Sequence, residues 1–183
     1  MVVSRTFDEM LNLFDAVGKL KRIERTGWVR KAVSSPESVA DHSFRVVWIG
    51  AYLGRQLGLD VEKIVELALV HDLAESHTGD RILGEAGLTR ERKNEEEREA
   101  LAQIVGSGEA GMRWRSLFEE WVAGETAEAR LVAQVDRLEM GLTSIDYESA
   151  QGIDLKEFRR SAREALDPEG ELMRLLERAE GRL

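Results

Sequence analysis

The sequence predicts an all-α fold arranged as a single helical bundle, and three observations carry that expectation. Only two prolines interrupt 183 residues. Leucine, alanine, glutamate and arginine, all good helix formers, are abundant. Apolar residues recur at i, i+3, i+4 and i+7 through much of the chain, the spacing of one helix face.

The length suits one domain over residues 1–183 with a sizeable core. Cysteine is absent, so any metal must be held by His, Asp and Glu. The amino-terminal residues 1–8 lack the charged-then-apolar pattern of a signal peptide. The longest apolar stretch, residues 46–53, is too short to span a bilayer. A cytoplasmic chain without a membrane partner is the expectation. The formal net charge is −9, with acids and bases interspersed. Such a surface disfavours a nucleic-acid polymer. It still admits a small phosphate ester, because a bound divalent cation reverses the local field.

Residues 6–20 read as a first helix, with Phe7, Met10, Leu11, Phe14 and Val17 as its buried stripe and Gly18 near its end. A basic connector follows, residues 21–30, containing Trp28; it reads either as a solvated loop anchored by one aromatic or as an anion-binding wall. Ser34, Ser35 and Pro36 suggest a capped helix start, and that helix runs past His42 to Leu57 with Gly58 beyond its end. Asp60 caps the next helix, where Leu59 can pack on Ile64. Residues 76–88, with three glycines, His77 and Asp80, read as a loop. Residues 89–105 form a highly charged helix, read as a solvated face or as a mobile cover over a pocket. Trp114, Leu117, Phe118 and Trp121 give a short amphipathic helix with both tryptophans in the core. A long helix spans residues 125–147, and Asp167, Pro168 and Glu169 start a last one whose Leu172, Met173, Leu175 and Leu176 complete the core or meet another subunit.

Polar residues interrupt these apolar faces at three places. His71 shares a stripe with Ile64, Leu67 and Ala68, and Asp72 follows directly. Burying such groups is costly unless they are paired or bind a metal. Neighbouring helical residues point about 100° apart, so the doublet can grip a cation from two sides without enclosing it. Glu75 lies one turn onward and can reach the cation's open side or a water on it. A core histidine beside a capped or paired aspartate is the competing reading. His42 is the second anomaly. Asp136 is the third, flanked by Val132, Ala133 and Met140 at i±3 and i±4. His42, His71, Asp72 and Asp136 come from three helices and form a nitrogen and oxygen set suited to Mn²⁺, Co²⁺, Fe²⁺, Zn²⁺ or Mg²⁺.

The order His, His-Asp, Asp on an all-α chain resembles the HD-domain metal phosphohydrolases over residues 7–150, leaving residues 151–183 as a helical extension. Residues 25–29 (Arg-Thr-Gly-Trp-Val), 36–42 (Pro-Glu-Ser-Val-Ala-Asp-His), 69–75 (Leu-Val-His-Asp-Leu-Ala-Glu), 78–80 (Thr-Gly-Asp) and 136–140 (Asp-Arg-Leu-Glu-Met) narrow it to the 5′-deoxynucleotidase branch. The resemblance implies that His42, His71, Asp72 and Asp136 ligate a divalent cation. It implies that Glu75 orients or activates the attacking water, with Asp80 assisting, and that both can help hold a second cation. Asp80 also contacts substrate in such enzymes, and Trp28 lines the sugar site and disfavours a 2′-hydroxyl. Bacterial members place the phosphate with an arginine where this chain has Gly27. Arg25, Arg30 or Lys31 can supply that charge, and the sequence does not choose among them. His77 matches no ligand position. Members are commonly homodimers, which the apolar last helix permits.

The expected activity is hydrolysis of deoxyribonucleoside 5′-monophosphates, with a small-molecule nucleotide as partner. Two alternatives stand beside it: an HD hydrolase acting on another phosphate ester, and a non-catalytic metal-binding regulator. The presence of Glu75 and Asp80 argues against the regulator, since a purely structural site needs no acid over an open position.

Overall fold

The computed structural model describes residues 3–182. Helices α1 (Val3–Leu20), α2 (Thr26–Arg30), α3 (Val39–Leu57), α4 (Val61–Val70) and α5 (Glu75–Thr78) precede a short 3-10 turn at Glu85–Gly87. Helices α6 (Arg90–Val105), α7 (Glu109–Ala123), α8 (Ala127–Gln151), α9 (Lys156–Ala165) and α10 (Glu171–Glu180) follow it. There is no strand among the described residues; one isolated bridge joins Glu24 to Ser38. Met1 and Val2, part of the amino-terminal segment discussed above, lie outside the described residues.

The centre of the bundle is α4, packed between α3, α7 and α8. Its Ile64, Leu67, Ala68 and Val70 are fully enclosed, and burying each large member stabilises the fold by about 1.5–3 kcal/mol. Glycines let α3 sit close to it. A Cβ at Gly54 would fall 2.2 Å from Ile64 Cδ1, and one at Gly50 would fall 3.1 Å from Ile64 Cγ2. This close seating fixes the spacing between α3, which carries His42, and α4, which leads into His71. Gly58 ends α3 in the left-handed region at φ +69°, and the Asp60 side chain caps α4 by accepting from Lys63 N, both as the sequence indicates.

Several boundaries differ from expectation for identifiable reasons. Helix α3 begins at Val39, not at Ser34 to Pro36. Residues 37–39 are first used to pair with residues 23–25, through Arg25 N to Glu37 O and Val39 N to Ile23 O. Ser38 then caps α3 in a reciprocal box with Asp41. The His71–Asp72 doublet lies just past α4, in a turn whose amides bond three residues back, as in Leu73 N to Val70 O and Glu75 N to Asp72 O. The segment expected to be all loop after Glu75 contains α5. The basic connector contains α2, α8 continues to Gln151, and α9 had no counterpart in the sequence reading.

Two apolar stripes are also corrected. Phe7, Met10, Leu11, Phe14 and Val17 face outward, while α1 packs on α5 and α6 through its other face, burying Ala16 and Leu20. In α10, Leu172, Met173 and Leu176 enter the core but Leu175 is exposed. Large exposed apolar side chains cluster on α1 and on α3, where Phe44, Trp48 and Tyr52 line up four residues apart.

Candidate metal centre and its cavity

Helices α3 and α8 and the turn after α4 bring four predicted side chains into one cluster, which Asp136 joins through His42. His42 Nε2 lies 3.1 Å from Asp136 Oδ1 and 3.7 Å from Asp72 Oδ2, and His71 Nε2 lies 3.3 Å from the same Asp72 oxygen. The two imidazole centroids are 5.7 Å apart. Ligand atoms of His42, His71 and Asp72 all fall within 4.8 Å of one another.

The other ring nitrogens settle which atoms are available. His71 Nδ1 is 2.7 Å from the Ala68 carbonyl, which only accepts, so Nδ1 carries the proton. His42 Nδ1 lies 2.6 Å from Glu139 Oε2 and donates to that carboxylate. Both Nε2 atoms are then left buried without a hydrogen-bond partner among the described residues. Two buried imidazole nitrogens facing two carboxylates fit a divalent cation in hardness and in charge once it displaces any proton they carry.

The electrostatics follow from this crowding. Burial and Arg25 disfavour a charged His42, but contacts with Asp136 and Glu139 outweigh them and raise its pKa to about 10. Burial works against charge on Asp72, yet His71, His42 and Arg25 hold its carboxyl well below the usual range. Glu75 behaves oppositely: burial, then Asp72 and Asp80, push its carboxyl well above the usual range, and Lys93 and Arg25 only partly offset this.

The cluster opens onto a cavity of about 1000 Å³. Arg25 lines it, almost buried, with Nη1 3.5 Å from Asp72 Oδ2. Arg30 and Lys31 line its outer part and are engaged elsewhere, Arg30 with Glu85 and Lys31 with Glu157. Asp80 lines the cavity too, and Oδ2 accepts from Thr26 N at 2.6 Å while its carbonyl accepts from Thr26 Oγ1, also at 2.6 Å. Asp80 therefore ties the loop after α5 to the start of α2, beside Arg25. Trp28 is 1% exposed, so it is core first and cavity wall second. Its Nε1 donates to Glu37 Oε1 at 2.9 Å, and its ring packs on Phe158 at 4.2 Å between centroids. His77 is exposed and outside the cavity lining.

Sequence reading missed several residues. Glu139 is fully enclosed and also accepts from Thr143 Oγ1 at 2.6 Å, with Arg45 Nη1 at 3.2 Å. Its signals were its place three residues after Asp136, on the same side of α8, and its inclusion in the 136–140 block, to which no role was attached. Lys93, Glu97 and Arg81 line the cavity from within stretches read as a charged helix face and a loop. Trp121, assigned to the core, lines the cavity as well, with its ring 5.9 Å from that of His71. Phe158, on α9, closes over Gly27, where a Cβ would meet its Cε1 at 3.0 Å.

A profile described as HD domain matches residues 17–172. The chain belongs to the HD-domain family. Within that family it is 37% identical over 147 residues to a Danio rerio protein named "5′-deoxynucleotidase HDDC2", covering 79% of this chain and 72% of that one. The human protein of the same name is 39% identical over 145 residues, covering 78% of this chain and 70% of that one. Among solved HD-like structures, a conserved hypothetical protein from Pyrococcus furiosus superposes with TM-score 0.77 at 34% identity, covering 94% of this chain and 99% of that one. A Pyrococcus horikoshii protein gives 0.77 at 30% identity, over 94% and 97%. The profile match extends past residue 150, over α9 and the first residues of α10.

Proposed function

We propose that this chain is a metal-dependent phosphohydrolase that converts deoxyribonucleoside 5′-monophosphates to deoxynucleosides and inorganic phosphate. The observation that carries this reading is the convergence of His42, His71, Asp72 and Asp136 at the floor of a cavity that also holds Arg25 and Glu75. The naming of the similar zebrafish and human proteins supports the substrate class.

Those four side chains would hold a divalent cation, which would supply Lewis-acid polarisation of a phosphoryl oxygen and a lowered pKa for bound water. Mn²⁺, Co²⁺, Zn²⁺, Fe²⁺ and Mg²⁺ all suit the donor set, and Glu75 and Asp80 stand where they could help hold a second cation. The chain's own residues do the rest. Arg25, charged and walled in by carboxylates, grips the phosphate and neutralises charge that builds on its oxygens. Arg30, at the rim, is a secondary contact. Water adds its oxygen to phosphorus as its proton passes to Glu75, the bond to the 5′-oxygen breaks with its electron pair staying on that oxygen, and a proton from solvent or from the newly protonated Glu75 completes the deoxynucleoside hydroxyl. Asp80 supports this by fixing the Arg25 segment and by facing Glu75. Trp28 and Phe158 form the apolar wall for the sugar. Since Trp28 Nε1 is already given to Glu37, this wall offers a 2′-hydroxyl no partner, and burying one there costs about 1–3 kcal/mol.

The reading extends to setting and assembly. No helix among the described residues is long and apolar enough to cross a membrane. The cytoplasm, where nucleotides turn over, is the compartment that suits it. A homodimer through the outward apolar faces of α1 and α3 would cover Phe14, Trp48 and Tyr52, each more than half exposed in one subunit. Light scattering on Trp48→Glu tests this: a shift from two-subunit to one-subunit mass supports the face, and unchanged mass rejects it.

The activity test is phosphate release from deoxyadenylate and adenylate in Mn²⁺ or Co²⁺. Release from the deoxy substrate with a preference over the ribo form is expected. No release from any nucleotide would favour the regulator, and release only from other esters would favour a different HD hydrolase.

A further inference from the structure

The charged run of α6 contains one lysine that does not face solvent. Lys93 is 20% exposed in its side chain, and its Nζ lies 3.2 Å from Glu75 Oε1, 3.4 Å from Glu97 Oε1 and 3.5 Å from the Arg81 carbonyl. An ammonium has three N–H donors. Two of them have acceptors here, Glu75 Oε1 and the Arg81 carbonyl, and the Glu97 carboxylate lies beside them as an ion pair. Glu97 is itself 3% exposed and seats Lys93 one turn further along the same helix.

Glu75, on the far side of that contact, is held unequally. Its Oε1 is engaged by Lys93, while its Oε2 is buried and has no partner among the described residues. A free carboxylate can rotate and present either oxygen. Here a partial turn would lose the contact with Lys93 and a half-turn only exchanges two equivalent oxygens, so the ammonium fixes the plane of the carboxylate and leaves one oxygen unengaged. We infer that Lys93 is a positioning residue: it pins Glu75 through Oε1 so that Oε2 is the oxygen presented to the attacking water. The inference rests on the assignment of Glu75 as proton acceptor made above. It gives α6 a fixed role as the wall that aims the base, in place of a solvated face.

The test compares wild type, Lys93→Met, Lys93→Arg and Glu97→Gln, loaded with Mn²⁺ and assayed on deoxyadenylate, with inorganic phosphate as a competitive inhibitor. For Lys93→Met, kcat should fall by at least about tenfold, because a mis-aimed base forfeits part of the ~10²–10⁴-fold that general-base catalysis supplies. Its KM and the inhibition constant of phosphate should stay within about twofold, since the Lys93 ammonium is directed at Glu75 and Glu97 and not at the phosphate. Lys93→Arg should recover part of kcat, and Glu97→Gln should lose less than Lys93→Met. A rise in KM and in the phosphate constant with kcat kept would make Lys93 a substrate contact and overturn the inference, as would unchanged kinetics. A crystal structure of Lys93→Met reads the same point without turnover: a rotated or displaced Glu75 carboxylate is expected, and an unmoved one refutes the role. If wild type hydrolyses no nucleotide, the proposed activity fails while that structure still decides the inference. Should Lys93→Met not fold, the Lys93→Arg and Glu97→Gln structures and kinetics carry the comparison, and a Glu75 carboxylate and kcat unchanged in both would refute it.

Discussion

Glu139 Oε2 stands 2.6 Å from His42 Nδ1, with both side chains fully enclosed. That contact spends the outer nitrogen of the ring and turns Nε2 toward Asp136 and Asp72. Partners of this kind set the tautomer and angle of a metal-binding histidine, and losing one typically costs about 10–100-fold in metal affinity. Glu139→Gln should therefore weaken Mn²⁺ or Co²⁺ binding by that factor in a calorimetric titration, while the fold, read by circular dichroism, is kept. Affinity equal to wild type would show that His42 needs no such partner.

In the metal-free protein His42 competes for its own site. Its pKa is raised to about 10 by Asp136 and Glu139, so at neutral pH a proton occupies the position a cation needs. Metal uptake should release a proton, and affinity should climb as pH rises from 6 toward 9, by up to about tenfold per unit. Calorimetry in buffers of different ionisation heat measures the proton count. The sign for stability is the reverse: a group whose folded pKa is raised contributes fully below its ordinary value and loses that contribution as pH rises through the folded one. The metal-free melting temperature should accordingly fall on the alkaline side, between about pH 6.5 and 10.

Arg25 and Arg30 were equal candidates for the phosphate in the sequence, and the structure separates their settings. Arg25 faces Asp72 from within the cavity, whereas Arg30 is half exposed and engaged by Glu85. Losing a charge-assisted hydrogen bond costs about 1.5–3 kcal/mol. Arg25→Gln should raise the inhibition constant of inorganic phosphate by roughly 10–100-fold, and Arg30→Gln by no more than about threefold, as for an exposed pair. The opposite order would move the phosphate to the rim.

Gly54 has no room for a side chain, since a Cβ would lie 2.2 Å from Ile64 Cδ1. Gly54→Ala should destabilise the protein by about 1–3 kcal/mol, the usual cost of overpacking a tight core. Urea denaturation measures this. Because α3 carries His42, metal affinity should fall as well; a change in stability alone would mean that α3 shifts without moving the ligand.

How much of this could be read from the chain differs from one residue to another. His42, His71, Asp72 and Asp136 stand out because each is polar on or beside an apolar face, and the structure draws those four side chains together. Helix type was legible for the same reason, through spacing. The start of α3 was not, because Ser34 and Pro36 carry every local mark of a cap while the pairing of residues 23–25 with 37–39 is long-range. The α1 stripe was misplaced because periodicity reveals a face without revealing what covers it. Lys93 and Glu97 were hidden among like-charged neighbours in α6, where only the fold distinguishes these inward side chains from the outward Arg92, Glu95 and Arg98. Phe158 was missed because α9 contributes one aromatic to a wall that Trp28 and Gly27 otherwise define.

On the proposed mechanism, ester cleavage depends on a cation held by four side chains from α3, the turn after α4, and α8. Phosphate release from deoxyadenylate, titrated with Mn²⁺ after chelator treatment, tests it most directly for wild type beside Asp136→Ala. Wild type should be inactive when stripped and should saturate with added Mn²⁺, while Asp136→Ala should need far more metal or never recover. Full release from the stripped protein, or the same Mn²⁺ curve for Asp136→Ala as for wild type, would contradict the account.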